Sequence, residues 1–143
     1  MKVFVAGTFD ILHPGHIYLL KEASKLGEVY VVVARDLNVK KLKGRKPIFS
    51  ERERAEMLRS IKYVHRVVLG SEIDFFSSVE RVKPDLIFLG PDQDYHWVLK
   101  ELEKRELEIK VLRLSKRLEY SSSQVRRVLD WYARTLDEDK RFI

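Results

Sequence analysis

The residues best suited to chemistry lie near the start of the chain, within the ten residues of segment 7–16, GTFDILHPGH. His13 and His16 are three positions apart, so both side chains can lie on one side of the first turn of a helix. Imidazole groups placed there can hold phosphate oxygens while negative charge moves during phosphoryl or nucleotidyl transfer. Taken alone, a His-x-x-His pair favours a structural histidine and a His–Pro turn over a catalytic pair. A metal pair with Asp10 is a third interpretation, although no cysteine or third histidine lies nearby.

A strand and a helix must hold this segment at the turn between them. Residues 3–6 are apolar and predict a short buried strand, whereas residues 17–26 have helical periodicity, with Gly27 predicted as the C′ residue. Pro14 suits the first helical position, because its missing N–H would have no partner there. Gly15 removes a side chain where the helix offers N–H groups. A helix N-terminus left open in this way is an anion site, and phosphate is the usual anion.

Length and composition predict one soluble globular domain. The chain has 143 residues, of which 45% are hydrophobic and 35% charged, and we place the domain at residues 1–135 with a frayed tail at 136–143. We expect no signal peptide and no membrane span. The absence of cysteine excludes disulfides and cysteine-ligated metals and fits a cytoplasmic protein. A net charge of +6 favours anionic partners: nucleotides, phosphorylated metabolites or nucleic acid.

The rest of the chain alternates between strand and helix patterns. We predict further strands at residues 28–35, 64–69, 85–89 and 108–114, the last of them an outer strand. We predict further helices at residues 51–61, which the capping box 50–53 begins, at residues 75–82, which Asp74 can cap, and at residues 95–107. A last helix is predicted to begin at the capping box 121–124 and to run to residue 132. Five strands alternating with five helices indicate a parallel, doubly wound, Rossmann-like α/β domain.

In such a sheet, ligands bind beyond the carboxyl ends of the strands. Four unusual segments are predicted to fall at that edge and to share one pocket: residues 7–16, 36–46, 90–93 and 115–123. Neither a G-x-G-x-x-G fingerprint nor a Walker loop is present in the sequence. Any phosphates must therefore be held in another way.

The basic segment 40–46 is interpreted as a loop shaped by Gly44 and Pro47. Its position after the second strand favours a lid over a triphosphate, and the sequence does not rank its candidates. The candidate contacts to the triphosphate or the acceptor are Lys41, Lys43, Lys46 and, within the first motif, Asp10. A solvated charged surface and a nucleic-acid patch are the alternatives. The nucleic-acid patch is disfavoured because the segment lacks the interleaved aromatic residues that base stacking requires.

Asp92 and Gln93 end the fourth predicted strand and should enter the same pocket. Either side chain can hydrogen-bond a base or a ribose, since both offer acceptors and glutamine also donates. The alternative for Asp92 is a helix cap, which we weigh almost equally.

The segment 7–16 resembles the Gly-Thr-Phe-Asp and His-x-Gly-His motif of the nucleotidyltransferase superfamily that includes the cytidylyltransferases. The segment RLEYSSS at 117–123 is similar to the Arg-Thr-Glu-Gly-Ile-Ser-Thr segment of those enzymes and keeps its Arg, Glu and second-to-last Ser. The resemblance implies a catalytic set of His13, His16, Lys43 and Arg117. It also implies nucleotide contacts from Thr8, Phe9, His13, Pro14, Gly15, His16, Asp92, Gln93, Arg117, Tyr120, Ser122 and Ser123.

A closer resemblance is to the archaeal FAD synthases of this superfamily. It is carried by residues 33–36, 40–48, 83–85 and 89–93, and it runs from Met1 to about Gln93. It implies transfer of AMP from ATP to FMN, with a divalent ion that is most simply Mg²⁺, in a homodimer without nucleic-acid or membrane partners. CTP with glycerol 3-phosphate is the alternative substrate pair. A non-catalytic nucleotide sensor is the alternative from another class of protein.

Overall fold

The computed structural model describes residues 1–115 and residue 127. Its centre is one parallel sheet of five strands: β1 (Lys2–Gly7), β2 (Glu28–Val33), β3 (Arg66–Leu69), β4 (Leu86–Leu89) and β5 (Lys110–Arg113). The strand order is β3-β2-β1-β4-β5, and every pairing is parallel. The predicted Rossmann-like, doubly wound fold is confirmed, and β5 is the outer strand expected from the sequence. The order changes direction at β1, whose two neighbours are β2 and β4.

Five helices cover the sheet within the described residues: α1 (Pro14–Ser24), α2 (Asp36–Lys43), α3 (Glu51–Arg59), α4 (Phe75–Val82) and α5 (Tyr95–Lys104). Of the last predicted helix, only Arg127 is described, and it is helical. The predicted capping box of α3 is present: Ser50 Oγ accepts the Glu53 N–H while Glu53 Oε1 accepts the Ser50 N–H. In the described part of the chain, no helix has both the length and the apolar character needed to cross a membrane.

Burial on both faces of the sheet explains the β-branched runs of the central strands. In β1, Val3 and Val5 belong to the cluster shared with α1 and α3, while Phe4 belongs to the cluster shared with α4 and α5. All three side chains are fully buried. Alternate residues of one strand therefore supply two separate cores, as expected for a parallel sheet with helices on both sides.

The segment after β2 is not the loop that the sequence suggested. Residues 36–43 form the helix α2, so the prediction of a basic loop is wrong for its first half. Only Val39 is buried in α2, which leaves an eight-residue helix with almost no apolar periodicity to detect. Gly44 ends it in the left-handed region at φ +73°, where its N–H bonds to the Lys40 carbonyl. Lysines in the last turn also suit the negative end of the helix dipole.

Gly27 has a different role from the predicted one. Helix α1 ends at Ser24 with Lys25 as its C-cap in the right-handed region, so the prediction of Gly27 as the C′ residue is wrong. A Cβ at Gly27 would overlap the carbonyl oxygen of Met1, which accepts the N–H of Glu28. Glycine is required there because the backbone before β1 passes against the start of β2.

Candidate active site

The turn after β1 is tightly folded around one aromatic ring. Phe9 is buried and has φ +51°, in the left-handed region that non-glycine residues rarely adopt. Its ring lies 5.2 Å from the ring of His16. It also lies against Gly7, where a Cβ would stand 2.8 Å from the ring. Gly7 and the strained backbone of Phe9 therefore together bring the start of α1 close to the end of β1.

His13 and His16 form a stacked pair at the N-terminus of α1. Their ring centroids are 3.8 Å apart at an interplanar angle of 24°. His13 Nδ1 accepts the N–H of Gly15 at 3.1 Å, and His16 Nδ1 accepts the N–H of His13 at 3.3 Å. Pro14 is the first helical residue, as predicted, but the expectation of an open N-terminus is wrong because these imidazoles cap it. Both Nδ1 atoms accept, so we assign the ring proton to Nε2 in each histidine.

The surroundings keep the two rings neutral. Burial, the neighbouring His13 and the charge of Lys43 lower the pKa of His16 to about 4. Burial also lowers the pKa of His13. Each ring therefore offers a neutral Nε2–H donor at pH 7, suited to an oxygen that gains negative charge.

The depressed pKa of His16 predicts a loss of stability in mild acid. In the unfolded state His16 binds a proton at about pH 6.5, whereas in the native state it binds one only near pH 4. Between these two pH values the unfolded state therefore holds more protons than the native state. The free energy of unfolding should therefore fall as the pH is lowered through this window and be unaffected by His16 above it. Urea denaturation at several pH values measures this. His16→Gln, which keeps an acceptor for the His13 N–H, should flatten the dependence, whereas the exposed His96→Gln should not.

Lys43 is the lysine of the basic segment that lies near the histidines. Its charge is one of the causes that lower the pKa of His16. Partial burial and the nearby guanidinium groups of Arg45 and Arg54 lower the pKa of Lys43 itself. Lys41 lies instead at a neighbouring cavity, and Lys46 lies on the segment before α3; all three lysines are exposed at the surface. Of these three lysines, Lys43 is the one whose charge acts on His16, and the contact of each lysine with a substrate stays a prediction.

Asp10 ties the motif to the segment that leads into α3. Its side chain is 3% exposed, and its two carboxylate oxygens accept the N–H groups of Ile48 and Phe49 at 2.9 and 3.0 Å. These contacts give Asp10 a positioning role in the described structure. Its assignment to the acceptor or the triphosphate stays a prediction.

Arg54 is a positioning residue that sequence reasoning missed. Its side chain is fully buried, and it donates to three separate segments: the Thr8 carbonyl at 2.8 Å, the Phe49 carbonyl at 3.0 Å and Asp36 Oδ1 at 2.6 Å. It therefore joins the motif turn, the start of α2 and the start of α3. Arg54 lies four residues before Leu58 and therefore on the buried face of α3. A charged residue at that spacing was the signal that could have identified it.

Loss of this buried guanidinium should destabilise the whole active-site edge of the sheet. We expect Arg54→Met to lower the free energy of unfolding by about 3–5 kcal/mol, because it leaves Asp36 and two carbonyls without their donor. The exposed Arg59→Met, in the same helix and beside Glu56, should cost no more than about 0.5 kcal/mol. Denaturant unfolding of both variants tests this. Equal, small effects would show that the Arg54 contacts contribute little to stability.

A cavity of about 520 Å³ lies next to the motif, at the carboxyl ends of β1 and β2. Three of the four predicted segments reach it, through Thr8, Lys41 and Gln93. The turn between β3 and α4, including Ser71 and Ile73, also lines it and was missed. The carboxyl-end rule applied to β3 could have found that turn, because Gly70 ends the strand in the same way as Gly7 and Gly90.

Gln93 spans the gap between β1 and β4. Its Nε2 donates to the Ala6 carbonyl at 3.1 Å, and its Oε1 accepts the Gly90 N–H at 2.8 Å. Asp92 is exposed, and the cap of α5 is Asp94, whose Oδ1 accepts the Trp97 N–H. The roles of Asp92 and Gln93 toward a base or ribose stay predictions. Four further predicted contacts lie outside the described residues: Arg117, Tyr120, Ser122 and Ser123.

Comparison with known proteins agrees with this geometry. A sequence model described as cytidylyltransferase-like matches residues 4–128, which include both histidines. The chain belongs to the cytidylyltransferase-like family. The chain is similar to archaeal FAD synthases. It is 50% identical to the FAD synthase of Korarchaeum cryptofilum over 135 residues, which cover 90% of this chain and 91% of the relative. It is 46% identical to the FAD synthase of Methanothermus fervidus over 123 residues, which cover 82% of each chain.

A solved structure extends the comparison to three dimensions. The crystal structure of the lipopolysaccharide core biosynthesis protein from Thermoplasma volcanium aligns with a TM-score of 0.76 and 43% identity, covering 82% of this chain and 98% of that one. The predictions of a cytidylyltransferase-like nucleotidyltransferase and of a close resemblance to archaeal FAD synthases are confirmed.

Proposed function

We propose that this cytidylyltransferase-like protein is an FAD synthase, which transfers AMP from ATP to FMN and releases pyrophosphate. The observation that carries the proposal is its identity of 46–50% with FAD synthases along most of the length of both chains. The neutral imidazole pair at the start of α1 supports the same type of reaction.

In this reaction an oxygen of the FMN phosphate attacks the α-phosphorus of ATP. A new P–O bond forms, and the bond to the oxygen that bridges the α- and β-phosphates breaks, so pyrophosphate leaves with the electron pair. The Nε2–H groups of His13 and His16 donate to α-phosphate oxygens as their charge grows. Lys43 neutralises charge on the departing phosphates. Little covalent chemistry falls to the protein, so catalysis consists of positioning and charge stabilisation.

We propose that Mg²⁺ enters this site bound to the triphosphate. Among the described residues, no group of three or more His, Asp or Glu side chains is placed to hold a metal, and the Asp10 carboxylate accepts two backbone N–H groups. The described residues thus offer a metal few ligands, which suits an ion whose ligands are mainly phosphate oxygens and water, as is common for Mg²⁺. When bound, the ion would supply further charge neutralisation on the phosphates.

A substrate grid tests the proposed function. ATP and CTP are each combined with FMN, glycerol 3-phosphate, phosphocholine and phosphopantetheine, with and without Mg²⁺, and pyrophosphate release is measured. We expect turnover with ATP, FMN and Mg²⁺, with CTP a donor poorer by roughly 10²-fold, because a mismatched base leaves buried hydrogen-bonding groups unpaired.

The other outcomes identify the alternatives. Turnover only with CTP and glycerol 3-phosphate would reject FAD synthesis and keep the reaction type. Tight nucleotide binding without turnover in any combination would favour a nucleotide sensor.

The same family resemblance leads us to propose a homodimer, and we also propose a location in the cytoplasm. The absence of cysteine from the sequence is consistent with a reducing compartment. Sedimentation equilibrium of the purified protein measures the oligomeric state directly.

A further inference from the structure

Helix α2 lies beside the motif, yet it has little apolar packing of its own. Among the eight residues of this helix, only Val39 is buried, so hydrophobic contact holds the helix weakly. Lys41 and Leu42, in its second half, line the cavity together with Gly7 and Thr8 of the motif turn. Polar contacts must therefore supply much of what keeps this half of the helix in place.

These polar contacts are concentrated at the N-terminus of α2. The residue before the helix, Arg35, makes no side-chain cap. The cap comes instead from α3, where Glu51 Oε1 accepts the Asp36 N–H at 3.1 Å and Glu51 Oε2 accepts from Arg35 Nη1 at 2.9 Å. Arg35 Nε donates to the Gly70 carbonyl, after the end of β3, at 2.8 Å. One carboxylate thus joins the start of α2 to α3 and, through Arg35, to β3.

A second ion pair crosses this link in the opposite direction. Asp36, the first residue of α2, accepts from Arg54 of α3, whereas Glu51, the first residue of α3, accepts from the residue before α2. The Glu51 carboxylate lies at the N-termini of both helices, where the helix dipoles favour negative charge. The side chains of Arg35 and Glu51 are only 28% and 22% exposed, so solvent screens their interaction less than at an open surface.

A helix that is held at one end transmits a change of angle to its other end. With about 1.5 Å of rise for each of its residues, α2 moves its last turn by about 2 Å when its first turn tilts by about 10°. Lys43 lies in that last turn, and its charge acts on His16. A displacement of about 1 Å in a reacting assembly can lower its rate by roughly 10²-fold. The contacts at the start of α2 can therefore affect the chemistry at its end.

We propose that Glu51 is a positioning residue for nucleotidyl transfer: it caps α2 from α3 and so keeps Lys43 at the histidine pair. Arg35 holds the Glu51 carboxylate against the end of β3. Glu51 acts through the helix rather than through contact with a substrate. This inference rests on the proposed function for the reaction that Lys43 serves, whereas the hold on α2 can be measured without any reaction.

Amide hydrogen exchange tests the hold on α2 in the absence of substrate. The N–H groups of Val39 and Gly44 each bond to the carbonyl four residues earlier, so their exchange reports opening of the helix. We expect Glu51→Ala to speed exchange at both positions by about 10-fold, because the helix loses its cap. Glu51→Gln should have a smaller effect, because its amide oxygen can still accept the Asp36 N–H.

A double-mutant cycle in kcat/KM for ATP tests the link to Lys43. We expect Glu51→Ala alone to lower kcat/KM by about 10-fold. In the Lys43→Met background the same substitution should lower it by less than about 3-fold, because the group that Glu51 positions is already absent. A role in stability alone would give the same loss in both backgrounds.

Glu56→Ala is the matched control for both measurements, since Glu56 also lies in α3 and pairs with Arg59 at the surface. It should change neither exchange in α2 nor kcat/KM. Unchanged exchange in Glu51→Ala, or equal losses of kcat/KM in the two backgrounds, would overturn the inference. If the alanine variant does not fold, Glu51→Gln replaces it in both measurements, with smaller effects in the same direction. Faster exchange in α2 without FAD formation by the wild type would instead reject the proposed reaction and keep the hold of Glu51 on α2.

Discussion

Replacing either histidine of the stacked pair should lower kcat by at least ~10²-fold, the scale for removing one transition-state donor. His13→Ala and His16→Ala each remove an Nε2–H group that donates to the α-phosphate. The KM for ATP and for FMN should change far less, because these donors act mainly on the charge that develops in the transition state. Steady-state kinetics with saturating FMN and ATP measure the effect.

His13→Asn separates catalysis from helix capping. Asparagine is a good N-cap, so its side-chain oxygen can accept the Gly15 N–H in place of His13 Nδ1, but its shorter amide does not reach the position of Nε2. We therefore expect near-native stability with the same loss of kcat. Near-normal kcat in His13→Asn and His16→Ala together would return the pair to a structural role in the turn.

Lys43→Met should lower kcat/KM for ATP by about 10- to 10²-fold, the range for losing one charge-assisted hydrogen bond to a phosphate. Lys43 is chosen because its charge reaches His16, and methionine keeps the length of the side chain without the charge. Lys43→Arg should recover part of the activity, because a cation remains near the phosphates.

Lys41→Met and Lys46→Met are the matched controls for this experiment. Each also removes one positive charge from the basic segment, and we expect kcat/KM for ATP to fall less than about 3-fold in both. An equal loss in all three variants would indicate a diffuse electrostatic effect of the segment rather than a contact made by Lys43. Strong salt dependence of that loss would support the diffuse effect.

The sequence by itself determined the features that depend on neighbouring residues. Pro14 at the first turn, the capping box at Ser50 and the Asp74 cap of α4, whose Oδ1 accepts the Ser77 N–H, are local signals and are confirmed. The buried strands were equally readable, because burial on both faces leaves continuous β-branched runs. Fold class and the location of the site followed from the order of these elements.

Only the tertiary structure decided which side chains meet. Arg54 reaches Thr8 across 46 positions, and Leu42 shares a cavity with Ile73 from a different part of the chain. Helix α2 escaped detection because its stability depends on contacts through Val39 rather than on a periodic apolar face. The proton on each histidine also depends on the fold, because the cap geometry fixes which nitrogen accepts. The sequence pattern indicates the hydrophobic period of each helix or strand and its local caps. The distances between residues remote in sequence depend instead on how the helices pack on the sheet.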